Sequence, residues 1–478
     1  MEASPSTATL LGDHRFDHLL EDLSPEFLEA SMVELSEIVS EASALDASMF
    51  DQQDRITRAM LISEASDALT MLGTRVLVAS PDPLSGPASA LLMYAGQTAA
   101  HDSNQAAAFY ERYRLVPRLL VQALDLHHAE VSAGRTPIAA NIRRVLSQVD
   151  DYLASPLESD PFANLSGPEE WEGVGTWREQ MTSLARDTIR PAFLAYRAGV
   201  EDLLAVARDE DHSGLCHIAG GEEIYAKMIE VFTTLPYSPQ ELHEIGQSQA
   251  KGIHADEFRE IGQRALGTSH LPEILDRLRN DPTLRYETSK QIVADAETIL
   301  ARAWEASADW FNLRPVGSCE VQEVPAFLAK NAPPAYYIPP ASDGSRPGTY
   351  FINTYEPEAR LRFEAESVAF HEANPGHHFQ LTLAAELTDI PEFRKRALST
   401  AYCEGWGSMR SGWRTRWGFT RTTRTGWAWF QPMRGERPGW WWTPVCISWA
   451  GTVVRRSNFS SSGRRSIRNR SRPKSTAT

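Results

Sequence analysis

Apolar positions along the first 310 residues recur at helical spacing. Ile142, Val145, Leu146, Val149 and Leu153 fall on one stripe, and Ile292, Ala296, Ile299, Ala303 and Trp310 keep the same period. Ser238-Pro239-Gln240-Glu241 predicts a helix start, with Ser as N-cap, Pro at the first helical position and Glu closing a capping box. Residues 155–169 and 331–348 are rich in Pro, Gly and Ser and predict loops. Between about 317 and 355 the pattern changes. Cys319–Val324 and Thr349–Thr354 are β-branched and aromatic and predict short strands. The helical signal returns at Arg360. No internal repeat and no clean linker interrupts the chain. The expected fold is mainly α, one large helical domain over 1–407 with a small β element ahead of a His-Glu helix.

Composition adds limits. At 478 residues and 42% apolar, the chain can bury a sizeable core. No apolar run approaches the eighteen residues of a membrane span, so no membrane partner is expected. The opening Met1–Asp22 has neither a basic start nor an apolar stretch, which argues against a secretory signal. Four widely spaced cysteines form no CxxC pair or disulfide framework. A cytoplasmic location is the expectation.

Charge exposes a seam. The net charge of −16 divides into −30 over the first 404 residues, with 32 basic against 62 acidic, and +14 over the rest. From Gly405 to Thr478 there are 14 Arg, 1 Lys and 1 Glu, 9 of the 13 Trp, and no Leu. A folded segment of that length without Leu is unusual. A basic tail can bind nucleic acid. The alternative, favoured here, is that 408–478 is not an evolved sequence in this frame, so no nucleic-acid partner is expected.

The chemistry concentrates at Phe370-His-Glu-Ala-Asn-Pro-Gly-His-His-Phe-Gln380. His-Glu on a helix is half of the zinc-peptidase signature H-E-x-x-H, in which two histidines one turn apart face the metal and the Glu is the base. Here position i+4 is Pro375, and the next histidines are His377 and His378. On an unbroken helix His377 points roughly 120° away from His371, and His378 lies about 10.5 Å further along the axis. Neither reaches a shared Zn²⁺ at about 2.1 Å. A metal site therefore requires that Pro375-Gly376 interrupt the helix. Glu404, in Ala-Tyr-Cys-Glu-Gly-Trp, lies 27 residues after His377. That spacing allows a helix over about 379–388, a turn at Asp389-Ile390-Pro391 and a second, antiparallel helix carrying a third ligand.

The HEANPGHHFQ and CEGW segments resemble the bacterial family called domain of unknown function 885. LGDHRFDHLLEDLSPE, residues 220–246 and residues 333–354 resemble it too. The resemblance covers about 1–407 and implies a helical, gluzincin-type zincin that hydrolyses peptide or amide bonds with Zn²⁺. By that resemblance His371, His377 and Glu404 are metal ligands and Glu372 the general base, with His377 preferred to His378. Tyr336 or Tyr337 is expected to donate to the oxyanion, and Asn353 to contact a peptide added alongside the strand Thr349–Thr354. The alternative is a non-catalytic relative that binds peptide or has no activity.

After EGW the family continues with a Leu-bearing helix and a segment resembling R-L-V-V-D-T-G-(I/M)-H. Neither stands in the written frame. Codons permit a check, because Trp is always TGG. Read from the third base of Trp440, the Trp440-Trp441-Trp442-Thr443 codons must give Val-Val-Asp. Four further residues follow under constraint, and the last, across Cys446 and Ile447, is Tyr or His. Ser408 to Gly418, shifted alike, is compatible with Tyr-Ala-Glu-Arg-Leu-Ala-Asp-Glu-Met-Gly. A frameshift between about Gly405 and Ser408 is expected.

Overall fold

The computed structural model describes residues 3–76, 80–168, 171–330 and 332–411. The atypical stretch, apart from its first residues, lies outside them. The chain opens with α1 (Pro5–Leu10), α2 (Pro25–Ala44), α3 (Gln52–Thr74), α4 (Pro87–Gln97), α5 (Ser103–Tyr113), α6 (Val116–Ser132), α7 (Ala139–Ala154), α8 (Val174–Leu184) and α9 (Arg190–Asp202). It continues with α10 (Gly221–Thr233), α11 (Pro239–Ser248), α12 (Ala255–Leu266), α13 (Leu271–Asn280) and α14 (Ser289–Ser307). Then come β1 (Cys319–Glu323), α15 (Ala326–Ala329), β2 (Ala335–Ile338), β3 (Gly348–Ile352), α16 (Ala365–Glu372), α17 (His377–Ala385), α18 (Glu392–Arg396) and α19 (Thr400–Ser411). The mainly helical expectation stands.

The local signals behave as their chemistry dictates. Ser238 and Glu241 form a reciprocal capping box at the start of α11. On α7 the predicted stripe Ile142, Val145, Leu146 and Val149 is buried, and on α14 so are Ile292, Ala296, Ile299 and Ala303. Trp310 breaks the prediction. Helix α14 ends at Ser307, and Trp310 lies beyond it and exposed.

Two cores meet at the sheet. Strand order is β1-β3-β2, with β3 parallel to β1 and antiparallel to β2. Alternation sends Ile338 and Phe351 to one face, where they join the large core of α4–α9. Ala335, Tyr350 and Ile352 face the other way, onto α14 and the Ala369-Phe370 end of α16. All five residues of β3 are buried, as a strand covered on both faces should be.

This topology corrects three expectations. The stretch 331–348 is not all loop, because β2 lies within it. Strand addition at Thr349–Thr354 is not available, because β3 is central and paired on both edges. The Asn353 amide is held inside the fold: its Nδ2 donates to the carbonyls of Ala329, Ala332 and Pro333, and its Oδ1 accepts from the Tyr355 N–H.

The amino-terminal DHR motif, which has no partner legible in the sequence, clasps the loop after β2. His14 lies 2.9 Å from Asp17 through Nδ1 and 2.9 Å from Asp343 through Nε2. Burial alone would lower its pKa, but the two carboxylates outweigh it and hold it above the usual value. A raised histidine contributes stability that is complete below the unfolded pKa and is lost as pH rises through the folded one. His14→Ala should therefore cost about 1 kcal/mol at about pH 5.5, after solvent screening, and clearly less at about pH 9. Urea melts at the two pH values check this, and a cost equal at both would refute it.

Candidate metal centre

Helix α16 ends at Glu372 and α17 begins at His377, with a cis Asn374–Pro375 peptide between them. The chain turns back so closely that a Cβ on Gly376 would sit 1.8 Å from the His371 carbonyl oxygen and 2.3 Å from that of Phe370. Only glycine fits there. The Trp406 indole N–H, from α19, donates to the Pro375 carbonyl at 2.8 Å and ties the bend to that helix. The Trp406 and Phe311 rings lie 6.4 Å apart, and Phe311 packs on Phe379 of α17 at 4.5 Å.

The bend brings His371 and His377 together, with ring centroids 4.6 Å apart and planes at 83°. Glu404 on α19 faces both. His371 Nε2 is 3.1 Å from Glu404 Oε2, and His377 Nε2 is 3.7 Å from Oε1. One ligand-capable atom from each of the three residues lies within 4.8 Å of the other two. Tetrahedral coordination at about 2.1 Å separates ligand atoms by about 3.4 Å, between the two carboxylate–imidazole distances. His377 Nδ1 is buried with no hydrogen-bond partner. A nitrogen–nitrogen–oxygen set of this spacing fits Zn²⁺.

Electrostatics divides the roles. Burial pushes Glu372 up to about 7, with the Glu404 charge adding and His371 opposing. Burial pushes His377 down to about 4, and His371 adds to that. Burial would lower His371 as well, but the Glu404 hydrogen bond and the Glu372 and Glu404 charges raise it. Burial would raise Glu404, but the two imidazoles, above all the His371 bond, hold it low. Tyr350, buried beneath on β3, is raised by burial and by the Glu372 charge.

The other sequence candidates separate. Tyr336 points to the far side of the sheet and stacks on Phe351 at 4.8 Å. Tyr337 is on the near side, but its hydroxyl bonds His378 Nδ1 at 2.8 Å and lies 3.3 Å from the Thr382 hydroxyl. His378 itself is buried and turned toward the sheet, so of the paired histidines it is His377 that joins the cluster. Asn353 is in the fold, as described above.

Two residues went unread in the sequence. Trp406 is one. Gly407 is the other: it shares a helical face with Glu404, and a Cβ there would come within 2.8 Å of the His371 ring. A small residue one turn from Glu404 was the available signal.

The Bacterial protein of unknown function (DUF885) family model matches residues 5–409. The chain belongs to the DUF885 family. Among solved structures it is similar to a candidate lipoprotein from Colwellia psychrerythraea, with TM-score 0.77 and 21% identity over 89% of this chain and 77% of that one. It is also similar to a candidate lipoprotein of unknown function from Shewanella oneidensis, with TM-score 0.63 and 14% identity over 96% of this chain and 90% of that one. At these identities the likeness establishes a shared fold alone. No curated protein matches the chain. No helix among the described residues is long and apolar enough to cross a membrane.

Gly407→Ala should leave the DUF885 fold intact, since alanine favours helix over glycine by about 1 kcal/mol. The new methyl should displace the His371 ring, and any Zn²⁺ that the cluster holds should then bind at least about tenfold more weakly. Competition titration with a chromophoric chelator measures this, and an unchanged affinity would remove Gly407 from the account.

Proposed function

We propose that the chain is a zinc-dependent hydrolase of peptide or amide bonds. The observation that carries this reading is the convergence of His371, His377 and Glu404 from three helices, α16, α17 and α19, with Glu372 beside them. Zn²⁺ held by His371, His377 and Glu404 would lower the pKa of a water toward about 7 and polarise a carbonyl oxygen. Glu372, poised near neutrality by burial, accepts the proton of the attacking water and returns it to the departing amine. Glu404, 3.1 Å from His371 Nε2, would supply the third, anionic donor beside the two imidazoles. A cytoplasmic location is part of this reading.

We further propose that the reading frame changes between about Gly405 and Ser408. The family match stops at residue 409, where the charge and leucine content also change, and the shifted codons at Trp440–Thr443 are forced to Val-Val-Asp. The Arg- and Trp-rich segment on which a nucleic-acid reading depends is then an out-of-frame product, and it lies outside the described residues. Sequencing the gene across those codons decides the matter, and an intact written frame removes the proposal.

Purified chain should hold about one Zn²⁺ by metal analysis, and His371→Ala or Glu404→Ala should abolish it. Glu372→Gln should keep the metal and lower hydrolysis of a peptide library by at least about 100-fold in the frame-restored protein. Zinc retained without any turnover in that protein favours the non-catalytic alternative. No tightly held zinc ends the reading.

A further inference from the structure

We propose that Tyr337 and His378 are positioning residues, whose hydrogen bond sets the rotation of the first turn of α17 so that His377 meets His371 and Glu404. This rests on the metal reading of the cluster and adds what aims one of its ligands.

His377 and His378 are consecutive, so a helix must present them about 100° apart. Whichever is fixed dictates where the other points. His378 is the fixed one, and it is almost fully buried. Its Nδ1 meets the Tyr337 hydroxyl at 2.8 Å and the Thr382 hydroxyl at 3.2 Å.

The fit leaves no slack. A Cβ on Gly348 would stand 2.4 Å from the Tyr337 hydroxyl and 2.7 Å from His378 Nδ1, so the sheet backbone closes directly over the pair. The Tyr337 backbone is held in turn by antiparallel pairing opposite Tyr350. A second tie anchors the far end of α17. The Glu386 carboxylate accepts from the N–H groups of Val316 and Gly317 at 2.8–3.0 Å. Residues 316 and 317 thus hold the helix at Glu386. His377, by contrast, has an unpartnered Nδ1 and no comparable anchor of its own. Its aim is inherited from its neighbour.

The test compares the full chain with Tyr337→Phe, which removes one hydroxyl and keeps the ring, and with His378→Leu and His378→Asn. Asn can return an acceptor near the Nδ1 position. Zn²⁺ affinity should fall about 10- to 100-fold in Tyr337→Phe and in His378→Leu, the size expected when a ligand's support is lost. Part of it should return in His378→Asn. The Co²⁺-substituted protein should change its visible absorption in the same order, a signature that loss of stability alone would not produce. Hydrogen exchange across 377–381 needs no metal and should rise at least about tenfold in Tyr337→Phe. Affinity and cobalt spectrum unchanged in a folded Tyr337→Phe protein would overturn the proposal. A native chain that holds no metal would end the zinc reading. The exchange measurement would then still decide whether this bond sets the helix, and unchanged exchange would refute it.

Discussion

The candidate site depends on one close approach, that of Gly376 to the carbonyls that end α16. A helix continuing through residues 371–377 would turn the two imidazoles about 120° apart. The reversal instead leaves their centroids 4.6 Å apart. It persists because the bend is tied from outside, through the Trp406–Pro375 hydrogen bond, to the same helix that carries Glu404. One contact therefore sets two relations, histidine to histidine and bend to carboxylate.

The sheet gives this bend a floor. β3 is buried on both sides, and its register with β2 decides which aromatic meets the site and which meets the large helical core. Tyr337 and Tyr350 are cross-strand partners on the side of α16 and α17, while Tyr336 and Phe351 are partners on the other. A slip of one residue would exchange the two pairs. The short strands thus do more than fill space: they choose the hydroxyl that meets His378.

Much of the helical architecture was legible because amphipathic period and capping chemistry are local. The stripe on α7, the capping box of α11 and the strands near 319 and 349 all follow from residues within a few positions of one another. β2 was hidden because its residues sit between prolines, and its pairing with β3 is a contact across sequence. The His371, Glu372, His377 and Glu404 set was legible from chemistry and from the family resemblance together. Helical geometry alone argued against His377, and only an interrupted helix allowed it. The expected roles of Tyr336 and Asn353 did not survive, since strand alternation and the carbonyl-lined niche of Asn353 belong to tertiary structure. The partners of His14 were invisible for the same reason: Asp343 is 329 residues away.

Three missing Cβ atoms surround the histidines, each from a different element. Gly348 on β3 admits Tyr337 and His378, Gly376 in the bend admits the His371 carbonyl, and Gly407 on α19 admits the His371 ring. A methyl at any of them would fall within 3 Å of a neighbouring atom. In two cases, Gly348 and Gly407, the nearest neighbours are side chains that include a histidine ring. A change there bears first on the geometry of the histidines and only then on the fold. At Gly376 the neighbour is main chain, which cannot yield without opening the bend. The His-Glu motif supplies the donors, but their convergence is written in small residues that carry no chemistry of their own.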